Sequence, residues 1–350
     1  MKMKHLKYLS ISSMVIVMTM VFLGCNNNTN VIIVEIETFP KEYLVDGAKK
    51  FAKEIGCPYQ LMVCDSILIC IDYCNEKWLY LYDMERDSLI DGFFRHGNGP
   101  YEFPDVPWIT NAWVDDSGDG YFSLADQTSS TIYIYSIDSL LSGSREPSKM
   151  YKLPSTIPSK IAMRLNDSIW CGNTYRQEGS LFLYNWNQES VIKWKERVSL
   201  DFYVHPKNHH SVTYEPMMIN RESGIVVSSL QYLKRIHIYN SELELTHIIR
   251  DKEPPSYPDF SRLNMPPETI LYYEEPILSG KYIGVINYQY SREHQPGTKL
   301  LIFDYHGNPL IKYTFDQPFS CATIDWDKKT IYCKSQIDYQ VMQYDLKGLQ

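Results

Sequence analysis

The stretch Leu79-Tyr80-Leu81-Tyr82-Asp83 alternates long apolar and aromatic side chains and ends in a turn-forming carboxylate. The same form returns as Ile132-Tyr133-Ile134-Tyr135-Ser136, Leu181-Phe182-Leu183-Tyr184-Asn185 and Ile236-His237-Ile238-Tyr239-Asn240. It closes with Leu300-Leu301-Ile302-Phe303-Asp304 and Val341-Met342-Gln343-Tyr344-Asp345. The matching aromatic positions lie 53, 49, 55, 64 and 41 residues apart. A second marker runs in step: a polar turn precedes a β-prone start at Ile67, Tyr121, Ile169, Ile225, Tyr282 and Ile331, with intervals of 54, 48, 56, 57 and 49. Each unit reads as an inner strand, a turn, a second strand, the aromatic third strand and an edge strand. A four-stranded meander of ~40–50 residues buries its faces only by stacking on its neighbours, which is the logic of a propeller blade. Six such units predict an all-β fold, a six-bladed β-propeller. A β-sandwich lacks this long super-period, because its strands recur every ~8–12 residues.

The sixth unit ends at its third strand, close to Gln350. The run Val31-Ile32-Ile33-Val34-Glu35-Ile36-Glu37 is strongly β-prone and far from the repeats. It is expected to pair on the outer edge of the last blade, so that residues 31–350 form the propeller and 31–37 its closing strand. Without such a partner that edge would stay unpaired. Tyr43 to Ile55 is expected to form a short strand and one helical turn.

Upstream, Lys2, Lys4 and Lys7 precede a short apolar run, Ile11 to Leu23, which is the pattern of a secretory signal rather than of a membrane span. It ends in Phe22-Leu23-Gly24-Cys25, which resembles the lipobox of bacterial lipoproteins. That resemblance implies removal of residues 1–24 and acylation of Cys25, with residues 25–30 as a polar tether. The expected address is the bacterial cell envelope, lipid-anchored at the outer membrane with the periplasmic face preferred. The whole chain carries 34 basic and 42 acidic side chains, net −8. An acidic globule without a basic block gives no footing for nucleic acid, and the acyl group rather than a basic surface must hold it to a membrane. Of the remaining cysteines, Cys57, Cys64, Cys70, Cys74, Cys171, Cys321 and Cys333, several lie in apolar β-like runs and read as small buried hydrophobes. A bridge within the Cys57 to Cys74 group is left open.

Between the first two units lies His96-Gly97-Asn98-Gly99-Pro100-Tyr101-Glu102-Phe103. With the order Asp65-Ser66-Ile67 … Leu79 to Asp83 … Phe93-Phe94, it resembles bacterial TolB-like six-bladed propeller lipoproteins. Those carry a Gly-x-Gly-Pro-Gly-Glu-Phe signature at the end of blade one; here Tyr101 stands where the last Gly is expected. The resemblance implies a fold and an envelope location, and no activity. Physically, Gly97, Gly99 and Pro100 would make a stiff, tight reversal, Glu102 would bond backbone N–H groups, and Phe103 would plug the seam between blades.

Chemistry is sparse. Arg95 and His96 could face the channel mouth, and Glu102 could belong to a ligand-facing loop. Arg164 and Arg221 fall near inner-strand ends, where they could give the channel anion-binding character. His205, His209 and His210 form the one histidine cluster but lack a metal-binding scaffold. Asn111, Asn166, Asn220 and Asp325 lie near inner strands, where turn roles explain most of them. No nucleophile elbow, Walker loop or zinc-hydrolase signature occurs. The expectation is a non-catalytic binding or scaffold propeller without a cofactor, held to the membrane by its lipid and meeting a protein or glycan partner. Two alternatives stay open: a metal-assisted lactonase or lyase in the channel, and a glycan-binding accessory lipoprotein that stacks sugars on residues such as Trp108, Trp113 and Trp326.

Overall fold

Three short strands precede the first blade: β1 (Ile32–Ile36), β2 (Lys41–Val45) and β3 (Lys49–Phe51). Blade one is β4 (Pro58–Cys64), β5 (Ile67–Asp72), β6 (Lys77–Asp83) and β7 (Ser88–His96), extended by β8 (Glu102–Phe103). Blade two is β9 (Trp108–Val114), β10 (Gly120–Asp126), β11 (Thr131–Ser136) and β12 (Lys149–Lys152), with the helical turn α1 (Ile137–Leu141) after its third strand. Blade three is β13 (Ser159–Arg164), β14 (Ile169–Thr174), β15 (Leu181–Asn185) and β16 (Ser190–Lys195). A connection holding α2 (Pro206–Val212) leads to blade four: β17 (Met217–Asn220), β18 (Ile225–Leu230), β19 (Arg235–Tyr239) and β20 (Leu245–Asp251). In blade five the inner strand is split into β21 (Leu271–Tyr273) and β22 (Ile277–Leu278), followed by β23 (Ile283–Tyr290), β24 (Lys299–Phe303) and β25 (Pro309–Phe315). Blade six is β26 (Phe319–Asp325), β27 (Thr330–Ser335) and β28 (Val341–Asp345).

The computed structural model describes residues 31–349 except 156, 158, 175–178, 254 and 291–296. The expected signal segment, Cys25 and the expected tether lie outside the described residues. From Ile32 onward the chain forms one compact unit of six sheets. The six recurring sequence segments are the third strands, and their marker aromatics Tyr82, Tyr135, Tyr184, Tyr239, Phe303 and Tyr344 are each at most 3% exposed. A middle strand of a blade is covered on both faces by neighbouring blades, so it tolerates large apolar groups on both. Each such ring contributes about 2–3 kcal/mol through burial.

The expected closing segment is corrected by the sheet order. Residues Ile32–Ile36 do not reach the last blade; β1 lies parallel to β20 as a fifth strand of blade four. Opposite charges accompany that pairing: Arg250 donates to Glu35 at 2.7 Å, and Lys252 pairs with Glu37. The ladder also places Val34 and Ile36 against Ile249 and its neighbours. Likewise β2 adds a parallel strand to blade five. The strand beside β28 is instead the three-residue β3, antiparallel, with Lys50 on Asp338 at 2.6 Å. Phe51 packs there between Tyr82 of blade one and Tyr332 of blade six. Residues 43–55 thus supply two strands and a tight turn, in which the Ile55 N–H donates to the Ala52 carbonyl, rather than one strand and a helical turn.

Two further local features matter below. Cys57 and Cys74 form a disulfide beside buried Asp72, whose carboxylate accepts from the N–H groups of Gly56, Cys57 and Cys74 and from the Asn75 amide. The 64-residue interval between Tyr239 and Phe303 is explained by a satellite core. There Val204, Val212 and Phe260 from the connections flanking blade four cover Leu230 and Leu233.

Candidate functional site

The inner strands of the six blades enclose a channel of about 1540 Å³. Its wall is tied across blades by paired amide contacts: Gln60 of β4 both accepts from and donates to the Ile109 backbone of β9, at 2.7 Å each way. At the leading ends of these two strands, Tyr59 meets Tyr73 and Trp108 edge-on, at ring separations of 5.8 and 5.4 Å and interplanar angles of 90° and 88°. Tyr59 therefore shares a stacking plane with neither of its two neighbours. The Lys334 ammonium lies over Tyr73 at 5.7 Å.

Deeper in the wall, the bulge between β21 and β22 carries Glu274 into the channel, close to Cys321 and Lys334. Burial raises the Glu274 carboxyl above the ordinary carboxylate range, and the Tyr288 hydroxyl, the Cys321 backbone amide and Lys334 offset this only in part. Cys321 sits at a bulge of β26 with φ +49, and burial pushes its thiol up as well. A protonated, buried thiol is a poor nucleophile.

At the trailing ends of the inner strands stand Arg164 and Arg221, which the channel brings together. Arg164, last residue of β13, donates to the Asn166 carbonyl at 3.2 Å and pairs with Asp167. Arg221 follows β17, and its guanidinium lies 4.6 Å from the centre of the Trp113 ring. Trp113 is itself stacked on Tyr121 at 5.8 Å. Among the described residues Arg221 makes no hydrogen bond or ion pair. Burial lowers its pKa, Arg164 lowers it further, and Asp167 acts the other way. The neighbouring Asn166 and Asn220 are spent on turn geometry, accepting from Ser168 and Ile169 and from Glu222 and Ser223. Asp325 does the same for Lys328.

The remaining sequence candidates lie elsewhere. Arg95 and His96 end the outer strand β7, outside the channel lining; Arg95 pairs with Glu76 at 2.8 Å and His96 faces Trp78. The Gly97 to Phe103 turn works as packing: the Gly99 N–H donates to Glu102 at 2.8 Å and the Gly97 N–H to the Phe103 carbonyl at 3.0 Å. A side chain at Gly97 would collide with Glu102, its Cβ falling 1.9 Å from Oε2. Phe103 is buried between Phe94 and Tyr133, plugging the seam of blades one and two. Tyr101 adopts φ +62, the left-handed conformation that a Gly there would take without strain. His209 and His210 lie on α2 rather than in a loop, and His205 precedes it. His205 caps it by accepting from the Lys207 N–H, and burial, then Arg197 and His210, lower the His209 pKa. Among the described residues the one trio of metal-ligating atoms is Cys57, Asp72 and Cys74, whose two sulfurs are bonded to each other.

No family model matches this chain, and no curated protein matches it. Solved structures do. The crystal structure of a DUF4221 family member from Bacteroides vulgatus is similar with a TM-score of 0.52 and 10% identity, covering 86% of this chain and 96% of that one. Chaetomium thermophilum Raptor is similar with a TM-score of 0.50 and 9% identity, over 86% of this chain but 29% of Raptor. The β-propeller domain of Myceliophteria thermophila Cps50 (Swd1) gives 0.46 and 10%, covering 87% and 99%. What the DUF4221 member and Raptor share with this chain is the fold. At such identity the likeness carries no activity.

Sequence reasoning missed Glu274, Lys334 and Cys321 as channel residues, and the pairing of Trp113 with Arg221. Glu274 was hidden because blade five's inner strand is broken at Glu274–Pro276, and Cys321 because it sits at a bulge of β26. The pairing was readable in principle, since Trp113 and Arg221 occupy matching trailing positions on blades two and four.

Proposed function

We propose that this protein is an exported, lipid-anchored, TolB-like propeller that binds a small ligand in its central channel. Two features support export: the Gly24-Cys25 junction after an apolar segment, and the Cys57–Cys74 disulfide, since such bonds persist in oxidising compartments. The outer membrane, with the globule on its periplasmic side, is the address most in keeping with the non-acidic Asn run after Cys25. The observation that carries the binding reading is Arg221. It is a half-buried cation in a roomy cavity, backed by an aromatic ring and without an ionic partner among the described residues. A fold leaves such a group uncompensated at a cost in stability, which a ligand would recover.

Two experiments test the reading. Cys25→Ala should abolish incorporation of labelled palmitate and move the protein from the membrane to the soluble fraction; unchanged labelling would refute the anchor. Native mass spectrometry of the protein incubated with the low-mass fraction of an envelope extract should show an adduct. Ala322→Trp, which fills the channel from β26, should remove it. An adduct that persists in the filled variant would place binding outside the channel.

A further inference from the structure

We propose that the pocket formed by Arg164, Arg221 and Trp113 binds a single carboxylate group of a small organic ligand. This rests on the channel-binding reading and names the ligand's chemistry. Arg164 and Arg221 are contributed by adjacent blades and line the same channel mouth, where Arg164 acts electrostatically on Arg221. Two guanidinium groups held together repel unless an anion lies between or beside them. Asp167 is already engaged by Arg164, which leaves Arg221 as the guanidinium whose donors are unspent among the described residues. Asp116 and Glu222 line the same mouth and repel any anion, a phosphate dianion about twice as strongly as a carboxylate, so the site suits a monoanion better.

The geometry of Arg221 selects among monoanions. The Arg221 guanidinium lies over the Trp113 ring, 4.6 Å from its centre, and its N–H groups are unspent among the described residues. They form the fork that takes a planar carboxylate in a bidentate manner. The same ring extends past the guanidinium as an apolar platform, so a carboxylate attached to a flat or apolar body gains contact as well as charge. Arg164, tethered by Asn166 and Asp167, is held in place beforehand. Binding therefore need not order both arginines at once.

Benzoate is the probe, with neutral benzamide of the same shape and inorganic phosphate as comparisons, each titrated by isothermal calorimetry at low ionic strength. Benzoate should bind saturably, about tenfold or more tightly than benzamide or phosphate, and weaken with added salt. Arg221→Gln should weaken benzoate at least about tenfold while leaving the circular-dichroism spectrum unchanged and the melting temperature of the free protein no lower. Arg221→Lys, which keeps the charge but loses the fork, should fall between the two. Equal binding of benzoate and benzamide, no saturable benzoate binding to the native protein, or undiminished binding to Arg221→Gln would each overturn the assignment. Tighter phosphate binding would overturn the choice of carboxylate. The native-ligand adduct separates the two readings. If Ala322→Trp loses the adduct while Arg221→Gln keeps it, the channel stands and the carboxylate pocket falls. If neither variant loses it, both fall.

Discussion

Glu215 and Glu274 sit at the inner strands of neighbouring blades, and both are withdrawn from bulk water, yet they titrate in opposite directions. Glu215, 1% exposed in the seam of blades three and four, accepts from the Tyr239 hydroxyl at 2.8 Å and from Ser180, and His237 Nδ1 lies 3.0 Å away. Burial would raise its pKa, but these partners outweigh burial and hold the carboxyl below the ordinary range. Glu274 faces the channel with fewer donors, and burial wins. The difference teaches where the fold has completed its polar bonding and where it has not. A carboxylate that serves packing is ringed by donors. One on the channel wall is left short, as Arg221 is left short of acceptors.

The sharpest way to break the comparison is Glu215→Leu. It leaves Ser180, Tyr239 and His237 buried without their shared acceptor, and urea denaturation should show a loss of about 3–5 kcal/mol. A loss below 1 kcal/mol would mean that the seam does not depend on the network. Another buried carboxylate, Asp72, extends the test, because its backbone donors lie at and beside the two cysteines of the Cys57–Cys74 bond. Cys57→Ser with Cys74→Ser, or reduction, should cost about 2–4 kcal/mol.

The pH dependence then sharpens the pair. With its folded pKa depressed, Glu215 contributes stability that is present above its unfolded pKa of about 4.3 and is lost as pH falls through the lower folded value. The native protein's advantage over Glu215→Gln should therefore shrink in acid. Glu274 has the opposite sign. Its raised folded pKa gives stability that is present below about pH 4.3 and lost as pH rises through the folded value. Glu274→Gln should match the native protein near pH 4 and exceed it modestly, by about 1 kcal/mol or less, at pH 7–8. A native protein that is more stable than Glu274→Gln at pH 8 would reverse the assignment. The smallest effect belongs to backbone strain: Tyr101→Gly relieves the left-handed φ at the cost of an exposed contact to Glu146 at 3.1 Å. It should raise stability by about 1 kcal/mol at most in thermal unfolding.

The blades were legible because a strand covered on both faces must be apolar on both, so Leu79 to Asp83 and its five counterparts stand out in any register. The channel arginines were legible because Arg164 and Arg221 end inner strands just before turn-forming Asn166 and Asp167, or just after Asn220. The partner of Val31–Glu37 was not. Its β propensity says that it pairs, but the groups that receive it, Ile249, Arg250 and Lys252, lie about 215 residues away in sequence. Nor was the closure, since Lys49-Lys50-Phe51 is short and polar, and Phe51 earns its place only by lying between two tyrosines contributed by the first and last blades. Glu274 escaped notice because its strand interrupts the repeat that revealed the others.

The order in which the leading strands are laid down has a mechanical consequence. A pull exerted on the chain from its N-terminal side loads β1 on blade four first, then β2 on blade five, and reaches the three-residue latch at β3 only after both have peeled away. Two sacrificial strands thus stand between tension and the seam that keeps the circle shut, so force that frays the leading segment need not open the ring.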